Sequence, residues 1–138
     1  MTNYFMVGTI YGGWQGQGAQ EMLDHWIDFG EWALGWQGME SDPSYQKQAP
    51  NLARMRVGDV LIAKQMHSDF KTTLAKAVGV VTEPATNGHR VGVNWVQDLR
   101  SSPITLPASY RQTLTKVSDT PKSRALISEY IRPLLASS

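Results

Sequence analysis

The chain has no cysteine among its 138 residues. Disulfides and thiolate metal sites are thereby excluded. Its histidines, His25, His67 and His89, lie too far apart to place two ligands on one turn of helix, so neither a metal nor a cofactor is expected. Long apolar runs are missing too. Nothing approaches the roughly 20 residues of a membrane-spanning helix, and Met1-Thr2-Asn3-Tyr4-Phe5 lacks the basic stretch and apolar run of a secretory leader. The expectation is a cytoplasmic protein with no membrane partner.

Catalytic signatures are absent as well. There is no nucleophile elbow and no histidine beside a serine in such an arrangement. Gly12, Gly13, Gly16 and Gly18 have neither P-loop nor dinucleotide spacing, and no Lys-Ser or Lys-Thr follows them. Asp24 and Asp28 sit at helical spacing, which is the pattern of a solvated helix face before it is that of a catalytic pair. An enzyme is therefore not expected.

What is present fits a single domain over residues 1–138, long enough to bury about two-thirds of its unfolded surface. The net charge of +1 hides a split. Residues 1–50 carry six acids and one base, whereas residues 51–138 carry twelve bases and six acids. If the halves do not interleave in space, one face is acidic and the other basic, and a basic face is where a polyanion docks.

The apolar pattern gives the elements. Tyr4 to Tyr11 is β-branched and aromatic and reads as a central strand. Ala19 to Phe29 has the spacing of an amphipathic helix that Gly30 ends. Gln37 to Leu52 carries two Xaa-Pro steps and reads as loop with at most one helical turn. Val60 to Gln65 is a strand after a Val57-Gly58-Asp59 turn. Leu74 to Thr82 and His89 to Val96 form a hairpin around Asn87-Gly88. Arg100 to Ser109 is extended, and Tyr110 to Val117 fits a strand or a short helix. Ser118-Asp119-Thr120-Pro121 opens a last helix, with a capping side chain before a first-turn proline, and Leu126, Tyr130, Ile131 and Leu134 form its packing stripe.

The stretch with most chemical content is Phe29 to Trp36. Strand alternation puts Trp32, Leu34 and Trp36 on one face, with Glu31, Ala33 and Gly35 on the other. A tryptophan is most often core. Three of the five tryptophans fall between residues 26 and 36, however, so at least one is expected to line a cavity between the strands that start at Gly30 and Val60. Tyr11 and Trp14 stand near its rim. Arg54, Arg56, Lys64 and Lys76 are candidates for phosphate contacts on charge alone.

Tyr4-Phe5-Met6-Val7, the helix after it, Trp32-Ala33-Leu34-Gly35-Trp36, Met55-x-Val57-Gly58-Asp59-x-Leu61-Ile62-Ala63-Lys64, Ala77-Val78-Gly79-Val80-Val81 and Val91-x-Val93-x-Trp95 through Pro103-Ile104 follow one another in a telling order. Over about residues 4 to 106 the chain resembles EVE and YTH domains of the PUA-like superfamily. It is most similar to the EVE-like specificity domains of modification-dependent restriction systems. The resemblance implies an α+β fold, a small bent mixed β-barrel flanked by helices, with the C-terminal helix read above packed on it. It also implies a function: holding a flipped modified base, such as a methylated or hydroxymethylated cytosine or a methyladenine, in an aromatic cage. Trp32 matches the cage tryptophan, Trp36 closes the Gly-Trp signature, and Asp42 falls where the EVE-like pattern often has an acid. Tyr11, Trp14 or Trp36 would supply a second wall, and Thr9 or Asp42 the polar edge contacts. The second YTH cage tryptophan has no counterpart at Pro84-Ala85-Thr86-Asn87, which favours the EVE-like branch. The implied partner is nucleic acid carrying a modified base, DNA in preference to RNA, within a larger restriction or processing complex. Two rivals stand beside it. An ASCH-like ribonuclease or amidohydrolase would need a Gly-x-Lys-x-x-Glu-x-Arg motif, which the chain lacks; a plain interaction domain would use every tryptophan as core.

Overall fold

The structure, a computed structural model, describes residues 2–11, 20–34, 43–69, 71–85, 90–110 and 112–136, with the side chains of Tyr11, Gln20, Ser44 and Tyr45 outside that description. The fold is α+β, built on one curled mixed sheet. Its strands are β1 (Tyr4–Gly8), β4 (Glu31–Ala33), β5 (Val60–Met66), β6 (Thr73–Glu83), β7 (Arg90–Asp98), β8 (Ile104–Leu106) and β9 (Leu114–Lys116), in the order β4-β7-β6-β5-β1-β9 with β8 on β6. Among the described residues only the β1–β5 pair is parallel. The expected first strand breaks at Thr9, and β2 (Ile10–Tyr11) pairs instead with β3 (Gln20–Glu21). Helix α1 is correspondingly shorter than its apolar pattern suggested, Leu23–Phe29. It stops as expected at Gly30, whose φ of 65° is left-handed and whose N–H returns to the Trp26 carbonyl.

Residues 43–53, expected as loop, are helix α2 (Pro43–Ala53). Pro43 occupies the first turn, where a missing N–H costs nothing. Pro50 falls in the last turn, so it removes one intrahelical bond near the end. Leu52 and Gln48 are buried, and the Gln48 side-chain oxygen accepts the Leu114 N–H of β9 at 2.7 Å. The helix is held by packing that a propensity reading does not see.

The two faces of the sheet carry separate cores. Phe5, Val7, Leu61, Ala63, Val91 and Val93 point toward α1 and α2, where Leu23, Trp26 and Leu52 cover them. Met6, Val60, Ile62 and Val78 point the other way, under the C-terminal helical segment: α3 (Pro121–Leu126), a π-helical turn (Ile127–Ile131) and α4 (Arg132–Ala136). Thr120 caps α3 by accepting the Ser123 N–H, with Pro121 behind it as the sequence suggested. Pro133 has no N–H to give the carbonyl four residues back. The widened turn before it fits the chain past that missing bond.

Curling follows from irregular pairing and from one close approach. Register shifts interrupt β5–β6 at Ala63/Lys64 and β6–β7 at Val78/Gly79 and Val81/Glu83, and such bulges increase twist and bend a sheet. A Cβ on Gly79 would lie 2.5 Å from Val93 Cγ1 and 2.8 Å from Trp95 Cε3. Bare backbone at residue 79 lets β7 fold across β6 there.

Candidate functional site

Trp32 decides how the candidate site is built. Strand β4 is four places from β1 in the sheet, a span of about 19 Å if flat at ~4.8 Å per strand. Yet the Trp32 indole N–H donates to the Gly8 carbonyl on β1 at 2.9 Å. No single side chain bridges the flat distance, so the sheet is rolled until β4 faces the end of β1. The indole fills the space between them, 0% exposed, with its ring 5.9 Å from that of Trp26 at 58°.

This corrects the expectation of a cage wall open to solvent. β4 pairs with β7, not with β5, so the expected cleft between the strands from Gly30 and Val60 has β7 and β6 in it. The space on the Trp32 side of β4 is filled: Trp32, Ala33 and Leu34 are all buried in one core.

The other expected site residues separate into groups. Thr9 is buried, and its hydroxyl donates to Glu21 Oε2 at 2.9 Å. Tyr11 lies on β2 with its backbone paired to Gln20. Trp14, Trp36 and Asp42 lie outside the described residues, as does Asn87-Gly88. Arg54 and Arg56 are exposed and their guanidinium groups bond to Asn51 Oδ1 and to the Ala53 and Met55 carbonyls; among the described residues neither guanidinium has a carboxylate partner. Lys76 is committed to Gln65 Oε1 at 3.2 Å and Glu21 Oε1 at 3.8 Å. Lys64, placed among surface phosphate contacts by charge alone, is only 6% exposed. Desolvation there lowers its ammonium pKa to about 8.

The expected acidic and basic faces interleave. Glu21 pairs with Lys76, Asp24 with Arg100, and Glu31 with Arg90, each joining the acidic first half to the basic second half. Arg100 also grips Asp98 through two side-chain hydrogen bonds, which hold the Asp98 carboxyl below its usual range. Helix α1 is thus strapped electrostatically to the corner after β7.

One surface cavity that no sequence pattern announced lies beside β4. It measures about 370 Å³ and is bordered by Phe29, Glu31, Thr82, Glu83, Arg90 and Gly92 among others. Glu31 is ion-paired to Arg90 at 3.3 Å and its other carboxylate oxygen lies 3.3 Å from His25 Nε2, and Phe29, stacked on His25 with ring centroids 4.4 Å apart, is 68% exposed. Phe29 had been read as part of the helix packing stripe. Its position next to the Gly30 cap, where the chain turns out of the helix, was the available signal.

Compared with known protein families and with characterised proteins, the chain matches no family model and no relative. Fold and site together define a small α+β protein with a rolled mixed sheet. No helix among the described residues is long and apolar enough to cross a membrane.

Proposed function

We propose that the chain is a non-catalytic nucleic-acid-binding module of EVE-like type that recognises a flipped modified base. The observation that supports it most is the Trp32–Gly8 joint. It draws the end of β4, which residues 35–42 with Trp36 and Asp42 follow, to the end of β1, from which Thr9 leads into the separate β2–β3 pair that residues 12–19 with Trp14 connect. In this reading Trp32 is the post that sets the spacing of the two segments, and Trp14 and Trp36 are the walls. Flipping a base costs a few kcal/mol, and each aromatic stack returns about 1–3 kcal/mol. Two walls roughly offset that cost and leave discrimination to polar edge contacts, for which Asp42 is the candidate. Arg54 and Arg56, exposed and with guanidinium groups that have no carboxylate partner among the described residues, are the candidate phosphate contacts.

A plain interaction domain is the second reading, favoured by the burial of both Trp26 and Trp32. Binding measured on DNA oligonucleotides with 5-methylcytosine, 5-hydroxymethylcytosine or N6-methyladenine, against the same unmodified sequences, separates the two. A preference of about tenfold or more for one modification, with a log-log salt slope of roughly −2 to −4 for two to four phosphate contacts, is the expected result. Equal or absent binding to all of them leaves the interaction domain.

A further inference from the structure

Two charged side chains among the described residues are deeply buried, Asp59 and Lys64. Asp59 is satisfied by the N–H groups of Asn3 and Arg56. Lys64, 6% exposed, has no hydrogen bond or ion pair among the described residues. An ammonium carries three donors, and a buried cation without a partner is more costly than a neutral polar group. With a pKa of about 8 the amine is still mostly protonated at neutral pH. Something must accept those donors.

The strand neighbours of Lys64 are small. In register beside Lys64 stand Gly8 on β1 and Ala75 on β6, two of the smallest residues. Strand alternation puts Lys64 with Val60 and Ile62, on the sheet face opposite Trp32. The chain after β8 grips the strands on both sides of this corner. Thr73 Oγ1 donates to the Ala108 carbonyl at 2.8 Å and accepts the Tyr110 N–H at 3.2 Å. The Gly8 N–H donates to the Thr113 carbonyl at 2.6 Å.

We propose that this corner is a binding site for a small oxyanion, a carboxylate or a phosphate group, held on the Lys64 ammonium. One such group supplies both the countercharge and the oxygen acceptors that the described residues do not. The site lies on the sheet face opposite the core that holds Trp32.

The test is melting temperature at pH 7 and constant ionic strength, with sodium chloride exchanged for acetate or for phosphate, in the parent and in Lys64→Met. The expected result is a rise of several degrees with an oxyanion in the parent and none in Lys64→Met. Acetate alone active assigns a carboxylate, and phosphate alone a phosphate group. In chloride, Lys64→Met should melt at or above the parent, since it removes an uncompensated cation. An equal rise in both proteins, or no rise in the parent, overturns the proposal. Isothermal titration of the parent with acetate and with phosphate gives a second reading that needs no variant: saturable binding of one equivalent supports the site, and a flat titration with both removes it.

Discussion

Replacing Trp32 by alanine removes the side chain that joins the two ends of the rolled sheet. A core Trp→Ala change costs about 3–5 kcal/mol, and here the Gly8 carbonyl also loses the donor it holds at 2.9 Å. A domain of this length has total stability of roughly 7–20 kcal/mol, so the loss is a large fraction of it. At this size each kcal/mol moves the melting temperature by about 3–5 °C. Trp32→Ala is therefore expected to melt about 10–20 °C lower. Trp32→Phe retains an aromatic ring and deletes the donor, which isolates the hydrogen bond at about 1–3 kcal/mol.

Urea unfolding followed by two probes gives both values. A lowered midpoint with an unchanged slope reports stability alone. A Trp32→Ala protein that loses less than about 1 kcal/mol would show that the indole does not fill the roll, and would return Trp32 to the list of cage walls.

Further expectations concern other joints. Trp36→Ala should leave the melting temperature near that of the parent and weaken modified-oligonucleotide binding by about 1–3 kcal/mol, roughly 5- to 150-fold; unchanged affinity in a binding assay removes it from the site. Gly79→Ala should destabilise by about 1–3 kcal/mol, because its methyl would meet Val93 and Trp95 within 3 Å, and a neutral result in urea unfolding would mean β7 can move away. Gln48→Ala should cost about 1–3 kcal/mol by leaving the Leu114 N–H unpaired inside the protein, read the same way. Lys64 gives a pH signature. It releases its proton near pH 8 in the folded state but only near ~10.4 when unfolded. Between those values the unfolded chain binds more protons, so stability from this group rises with pH, by up to ~3 kcal/mol. That rise should be missing from the stability profile of Lys64→Met.

Much of the sheet was legible because its signals are local. The apolar run Val60–Ala63, the β-branched strands flanking Asn87-Gly88, the glycine after Phe29, and the Thr120-Pro121 cap each depend on neighbours a few residues away. Helix α2 was not legible, because two prolines read as breakers while the compensating bond, Gln48 to Leu114, spans 66 residues. The charge split misled for the same reason. Counting along the chain gave two opposite halves, but Glu21, Asp24 and Glu31 each find a base from the second half.

The case of Trp32 shows what alternation can and cannot decide. A period of two assigns side chains to faces, yet Trp32, Ala33 and Leu34 are all buried in one core. Whether a face is open depends on curvature, and the curvature here comes from register shifts at Ala63/Lys64, Val78/Gly79 and Val81/Glu83. Those shifts lie on strands far from Trp32 in sequence, with only the bare backbone of Gly79 as an outward sign. Once the sheet rolls, the indole must be enclosed, and its N–H must find an acceptor or forfeit its hydration. The Gly8 carbonyl provides it. A tryptophan fixed in this way cannot also swing to receive a ligand without opening the core, so under the proposed function recognition falls to residues that the roll does not bury.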